Sequence, residues 1–139
     1  MPTRLVAFGR IKGGVGEMQY LVQLRLASSA RPMSPSEGIA FIEELIFPTL
    51  ERCIKLHEEK KILAGGPMSG AVALALIVTA ESAQELDDLI TSLPVWPRME
   101  TEVTPLTTFE RRKQSLLVRL GELKTQERES ERSRPSGGR

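Results

Sequence analysis

Two helix-start signatures, Ser34-Pro35-Ser36-Glu37 and Ser82-Ala83-Gln84-Glu85, constrain this chain more than anything else in it. Each puts a hydroxyl at the cap and a carboxylate three residues on, and the first adds a proline at the first helical position. Helices that begin at two fixed places divide the rest into strand-sized pieces. Ahead of the first cap, residues 19–27 (QYLVQLRLA) alternate, with Tyr20, Val22, Leu24 and Leu26 on one face and Leu21, Gln23, Arg25 and Ala27 on the other. That is a strand with one apolar face, closed by a turn at Arg31-Pro32. The first helix carries Ile39, Ile42, Ile46, Leu50, Cys53 and Ile54 at three- and four-residue spacing, and Pro48 inside it is expected to kink or break it. Residues 62–67 (ILAGGP) read as a short strand ending in a turn, and residues 71–80 (AVALALIVTA) as a buried strand. The second cap opens a helix with Leu86, Leu89, Ile90 and Leu93 on its buried side, ended by Pro94 and Pro97. Residues 98–106 (RMETEVTPL) alternate as a last strand, with Glu100, Glu102 and Thr104 on one face.

The order strand, helix, strand, strand, helix, strand predicts an α+β, ferredoxin-like βαββαβ subunit: one antiparallel sheet with both helices on the same face. The other face carries the alanines of residues 71–75 and Leu21, so a single copy would expose an apolar patch that a second sheet could cover. A homodimer or higher homo-oligomer is expected. Residues 108–125, with Leu116, Leu117, Leu120 and Leu123 at helical spacing, are expected to form an extra helix docked on a neighbouring subunit.

Composition removes several function classes. The chain has 139 residues, 19 Lys and Arg against 18 Asp and Glu, and a net charge of +1, without the basic excess that nucleic-acid binding draws on. Aromatics are 4%, which leaves few rings to stack bases on. Cys53 is the single cysteine, so no intrachain disulfide forms and a reducing, cytoplasmic setting is expected. The apolar stretch Leu5 to Phe8 is too short for a signal core or a membrane span. Lys12-Gly13-Gly14-Val15-Gly16 has the glycines of a phosphate-binding loop, but Glu17 follows where such a loop needs Lys-Ser/Thr. Residues 1–17 are expected to be a flexible or non-native leader, with Met18 as the natural start. Residues 126–139, which mix both charges with Ser, Pro and Gly, are expected to be a disordered tail. The domain proper is then residues 18–107.

The run from Leu93 through Pro94, Trp96, Pro97 and Met99 into Glu102-Val103-Thr104-Pro105-Leu106 resembles the carboxy-terminal signature of the muconolactone isomerases. The resemblance extends back to Met18. It implies a ferredoxin-like subunit that pairs into a dimeric α/β barrel, and a reaction that shifts a carbon-carbon double bond in a small unsaturated lactone or cyclic acid by proton transfer. It implies neither metal nor organic cofactor. Such chemistry needs a base to move the proton and a cation to steady the enolate and hold the substrate carboxylate. On that resemblance Glu102 and His57 are the candidate proton carriers and Arg25 the anion partner. Tyr20, Gln23, Trp96, Arg98 and Met68 are the candidate substrate contacts. One stretch departs from the family: where the resemblance implies a hairpin rich in Trp, Arg, His and Tyr, this chain has Leu63-Ala64-Gly65-Gly66-Pro67-Met68-Ser69-Gly70-Ala71. A pocket walled by Gly, Ala and Met suits something larger or more apolar than muconolactone. It leaves two alternatives beside the isomerase: a non-catalytic binding or assembly protein, and a cofactor-independent oxygenase or cyclase on a polyketide-like substrate.

Overall fold

A computed structural model describes residues 17–133, which fall into two units divided between Leu106 and Thr107. The expected leader lies outside the described residues apart from Glu17, as does the end of the expected tail. The first unit runs β1 (Met18–Leu26), α1 (Pro35–Ala40), a π-helical segment (Phe41–Ile46), α2 (Phe47–Glu58), β2 (Ile62–Pro67), β3 (Ala73–Ala80), α3 (Ala83–Thr91) and β4 (Met99–Leu106). The four strands make one antiparallel sheet in the order β2-β3-β1-β4, so the fold is the ferredoxin-like βαββαβ arrangement.

Both caps form as their residues predict. The Ser34 Oγ accepts from the Glu37 N–H at 3.2 Å and the Ser82 Oγ from the Glu85 N–H at 3.1 Å. The two carboxylates reach back to the residues ahead of the caps, Glu37 accepting from the Met33 N–H and Glu85 from the Glu81 N–H, each at 2.6 Å. Two first-turn donors and two donors just ahead of the caps are thereby satisfied by two serines and two glutamates.

Pro48 does not break the first helix. The chain instead widens into the π segment just ahead of it, where the Phe47 N–H donates to the Ile42 carbonyl five residues back. Pro48 has no N–H to give, and its ring would strike the carbonyl four residues earlier; one wider turn relieves both problems while the axis continues. The extra residue moves the buried stripe out of the phase that the sequence spacing predicts. Phe41, Thr49 and Leu56 are buried, with Leu50 and Cys53 partly so, whereas Ile39, Ile42 and Ile54 are exposed. The expectation that those three isoleucines face the core is corrected; the slip turns Ile54 off the stripe, while Ile39 stands in α1 ahead of it and is exposed there.

Val22 and Leu24 of β1, Leu74, Leu76 and Val78 of β3, Leu56 of α2 and Leu86, Leu89 and Ile90 of α3 form one apolar core on the helix-covered face of the sheet. The opposite face presents Leu21, Gln23 and Arg25 of β1, Ala75 and Ile77 of β3, and Glu100 and Glu102 of β4. In the edge strand β2 a bulge between Ile62 and Ala64 changes the register, and Gly65 adopts a φ of 120°. A Cβ at Gly65 would overlap the carbonyl of Ala75 on β3, so only glycine lets the two strands approach there.

The second unit contains α4 (Phe109–Ser133), a single helix with none of its residues buried. It passes residue 125, where a disordered tail is expected, and stays helical to Ser133. Polar composition removes a hydrophobic reason to fold, but Glu, Arg, Lys and Gln are good helix formers that lose little rotamer freedom there.

Candidate functional site

At the end of the sheet where β1 gives way to the Arg31-Pro32 turn, the helix layer stands away from the strands and leaves a cavity of about 470 Å³. The π segment and the start of α2 roof it with Phe41, Ile42, Ile46 and Leu50; Leu26, Leu74 and Met99 come from the strand ends. Pro67, Ala71 and Val72 close one side from the β2–β3 hairpin. Its size falls within the range of roughly 300–1,000 Å³ common for small-molecule sites.

Two polar side chains reach this apolar space. Thr49 is 2% exposed, and its Oγ1 accepts from the N–H of Val95 at 3.0 Å, which ties the segment after α3 to α2. Arg31 is the one ionisable side chain in the lining. A second hollow of about 630 Å³ shares Arg31, Pro32 and Phe41 with the first and adds Met33, Glu37, Glu44 and Arg98. The Arg98 guanidinium lies over the Phe41 ring at 5.7 Å, a modest cation–π attraction. Neither Arg31 nor Arg98 belongs to an ion pair among the described residues, where the pairs are Lys61–Glu85 and Arg119–Glu122. Glu37 already accepts from the Met33 N–H. Glu44 is exposed and its carboxylate has no hydrogen-bond partner among the described residues.

The residues singled out in the sequence are distributed over three places. Arg25, Gln23 and Glu102 come together on the uncovered sheet face: Gln23 stands opposite Glu102 and Arg25 opposite Glu100, so Arg25 and Glu102 are diagonal neighbours. His57 lies elsewhere, in the last turn of α2 on the helix side, where its carbonyl accepts from the Lys60 N–H. That end of the sheet is marked by the Lys61 carbonyl accepting from Thr79, which pairs with Gln19. From Gln19 to Arg25 along β1 is about 20 Å at strand rise, so His57 does not share a site with Arg25 and Glu102. Tyr20 faces the helices, half-buried against the core, away from Gln23. Arg98 lines the second hollow, while Met68 and Trp96 adjoin the cavity through Pro67 and Val95. Sequence reasoning misses Arg31, Thr49, Phe41 and Glu44. The signal for Arg31 is a cation held in a Pro turn at a strand end; Thr49 and Phe41 are hidden by the phase slip of the π segment.

Cys53 sits half-buried on the inner stripe, and burial pushes its thiol pKa up, which suits a packing residue rather than a nucleophile. Among the described residues no group of three or more His, Cys, Asp or Glu side chains could hold a metal ion. No helix among them is long and apolar enough to cross a membrane.

Comparison with known proteins agrees with the architecture. The structure of a muconolactone isomerase superposes with a TM-score of 0.53 at 22% identity, over 66% of this chain and 90% of that one. A feast or famine regulatory protein from M. tuberculosis, solved with L-methionine, aligns at 16% identity over 66% of this chain and 52% of its own, with a TM-score of 0.39 that carries no weight for the fold. No curated protein matches the chain. The family profile of muconolactone delta-isomerase matches residues 18–112, which includes every element of the sheet unit and well over half of the sequence. The chain belongs to the muconolactone delta-isomerase family.

Proposed function

We propose that this protein is a cofactor-free isomerase that shifts a carbon-carbon double bond in an unsaturated carboxylic acid or lactone, with the substrate body in the 470 Å³ cavity and its anionic end at the mouth. The observation that carries this reading is the position of Arg31, which belongs to both the apolar cavity and the neighbouring hollow that holds Arg98, Glu37 and Glu44. A double-bond shift removes a proton from one carbon beside a conjugated carbonyl and returns a proton to another, with no net change in atoms or electrons. It needs a carrier for the proton and positive charge for the dienolate between. Arg31 and Arg98 would hold the carboxylate and offset the developing charge. Glu44 would carry the proton, since Glu37 is engaged at the cap.

A second location for the same chemistry has its own support. The β1–β4 register groups Gln23, Arg25, Glu100 and Glu102 on the uncovered face, a charged strip beside the half-buried Leu21, Ala75 and Ile77. We propose that a second copy packs on this face; it would cover the apolar positions and turn the strip into an enclosed site with Glu102 as proton carrier and Arg25 as anion partner.

Turnover of muconolactone and related enol-lactone acids, followed by ultraviolet absorbance, tests the proposal and separates the two locations. Arg31→Ala and Glu44→Gln should each lower kcat/KM by about a hundredfold or more if the cavity is the site, the ordinary scale for a positioned acid, base or charge partner. Under that reading Arg25→Ala, Glu102→Gln and His57→Ala leave the rate within about twofold. The reverse pattern moves the reaction to the sheet face. No turnover by the wild type over a panel of unsaturated lactones and acids overturns the isomerase reading and leaves a binding or assembly role.

A further inference from the structure

The proposed isomerase reading names a class of anionic substrate but not its shape, and the cavity restricts that shape. We infer that the natural ligand is a monocarboxylate with an extended hydrocarbon body that carries no oxygens, the body filling the apolar cavity and the carboxylate meeting Arg31 and Arg98. The inference rests on the isomerase reading for where the ligand sits and on nothing else in it.

A compact lactone acid carries a ring oxygen and a carbonyl oxygen in addition to its carboxylate. Inside this cavity those atoms would find almost nothing to bond. Thr49 is the one polar side chain in the interior; its oxygen accepts from the buried N–H of Val95, so its single O–H can serve one ligand oxygen at most. The other walls are Leu, Ile, Val, Ala, Pro, Met and Phe side chains and the α1 glycine Gly38. Buried polar atoms without partners oppose binding, so the interior selects against oxygens along the body. The β2–β3 hairpin acts in the same direction. Pro67, Ala71 and Val72 present short aliphatic groups, which leaves volume a longer body can occupy and a compact one cannot. Charge is confined to the mouth. Arg31 and Arg98 lack ion-pair partners among the described residues, and a carboxylate is the group that suits a guanidinium best in geometry as well as charge. One anionic head and one apolar body are what this distribution fits.

The test reads binding alone, by isothermal calorimetry on the full chain, with the fluorescence of Trp96 as a second probe. Trp96 is the only tryptophan and follows Val95, which lines the cavity. Hexanoate, octanoate, decanoate and dodecanoate are compared with muconolactone and with the primary alcohols of equal length. Burial of one methylene strengthens binding by about fourfold, so affinity should climb about fifteenfold for every two carbons added until the cavity is full, then level off. Decanoate should bind at least tenfold tighter than both decanol and muconolactone. Arg31→Ala should reduce the preference for acid over alcohol, and Arg31→Ala with Arg98→Ala should erase it, while both keep the dependence on chain length. Val72→Phe, which narrows the cavity from the hairpin side, should move the plateau to a shorter acid and keep the acid preference. Affinity that ignores chain length, muconolactone binding as tightly as decanoate, or an acid preference that survives the double replacement of Arg31 and Arg98 would each overturn the inference. An enzyme that turns over no lactone and yet shows the full binding pattern overturns the isomerase reading only; turnover of muconolactone without the chain-length series overturns this inference only.

Discussion

The two ends of the sheet and helix sandwich are built from the same kinds of residue and treat them in opposite ways. At the end where α3 begins, Glu85 closes its cap, accepts from the Glu81 N–H and also accepts from the Lys61 Nζ at 2.9 Å, so the acid and the cation satisfy each other. At the end where α1 begins, Glu37 closes its cap in the same manner, but Arg31 beside it stays out of any ion pair among the described residues and lines a cavity instead. One end spends its charges on structure. The other keeps two guanidiniums for an outside anion, and this contrast, drawn within one fold and one capping motif, is a stronger pointer to the site than the count of charges at either end.

The sharpest way to break the contrast is to remove the cation that is held open. Arg31→Ala should lower catalytic efficiency or carboxylate affinity by about a hundredfold and shift stability by no more than about 0.5 kcal/mol, the usual range for a side chain without structural partners. Urea unfolding and a turnover or binding assay on the same preparation check both halves. A stability loss of several kcal/mol would mean that Arg31 holds the fold, and the two ends would no longer differ.

Thr49→Val tests whether the cavity wall at the open end is itself structural. The replacement keeps the volume and leaves the N–H of Val95 buried without its acceptor, at a cost of about 1–3 kcal/mol. For a chain of this size that lowers Tm by several degrees, read by thermal unfolding. The ligand series should be displaced less than by Arg31→Ala, because Thr49 offers no charge to the carboxylate.

The capping glutamates allow the two ends to be compared directly. Glu37→Ala removes a bond to the Met33 N–H, and Glu85→Ala removes the equivalent bond together with the Lys61 pair. Each should cost about 1 kcal/mol for the cap, with Glu85→Ala exceeding Glu37→Ala by about 0.5 kcal/mol for a solvent-screened pair. Equal losses in urea midpoints would remove the structural use of charge that defines the closed end.

The caps and the strand alternation were legible because each depends on residues adjacent in sequence. A serine and the glutamate three residues on recognise each other whatever lies around them, and Tyr20, Val22 and Leu24 share a face by the pleat alone. The order of elements then left the ferredoxin-like arrangement as the natural packing, and the run ending in Glu102-Val103-Thr104-Pro105-Leu106 carried the family. The cavity was illegible for a different reason. Its roof includes a π segment that shifts the helix phase by one residue before Pro48, so that Thr49 beyond it is buried, and a fixed 3.6-residue period has no means of expressing that slip. Arg31 was visible only as half of a turn, since its role comes from Phe41 and Arg98, ten and 67 positions away in sequence. That His57 lies at the other end of the sheet from Arg25 was not legible either, because a residue's place along a helix does not say which strand end the helix packs over.

The smallest effect lies in the pH dependence of the closed end. For Glu85, partial burial on its own would raise the carboxyl pKa, but the bonds from the Glu81 N–H and the Lys61 ammonium outweigh it and hold the group below its ordinary value. Lys61 moves the other way: its bond to Glu85 outweighs burial and holds the ammonium above its ordinary value. A depressed carboxyl contributes stability above the unfolded value, about 4.3 for a glutamate, and that contribution is lost as pH falls through the folded value, because the unfolded chain then binds a proton that the folded chain refuses. The raised ammonium contributes below its unfolded value, about 10.4, and is lost as pH rises through the folded one. Both groups are more than a third exposed, so screening limits each contribution to about 0.5 kcal/mol or less. The difference in urea midpoint between wild type and Glu85→Gln should therefore be flat between about pH 6 and pH 9 and shrink below about pH 4.3 and above about pH 10.4. A difference that grows on acidification would mean that burial, not the Lys61 pair, governs Glu85, and that the closed end leaves its acid as exposed to demand as the open end leaves Arg31.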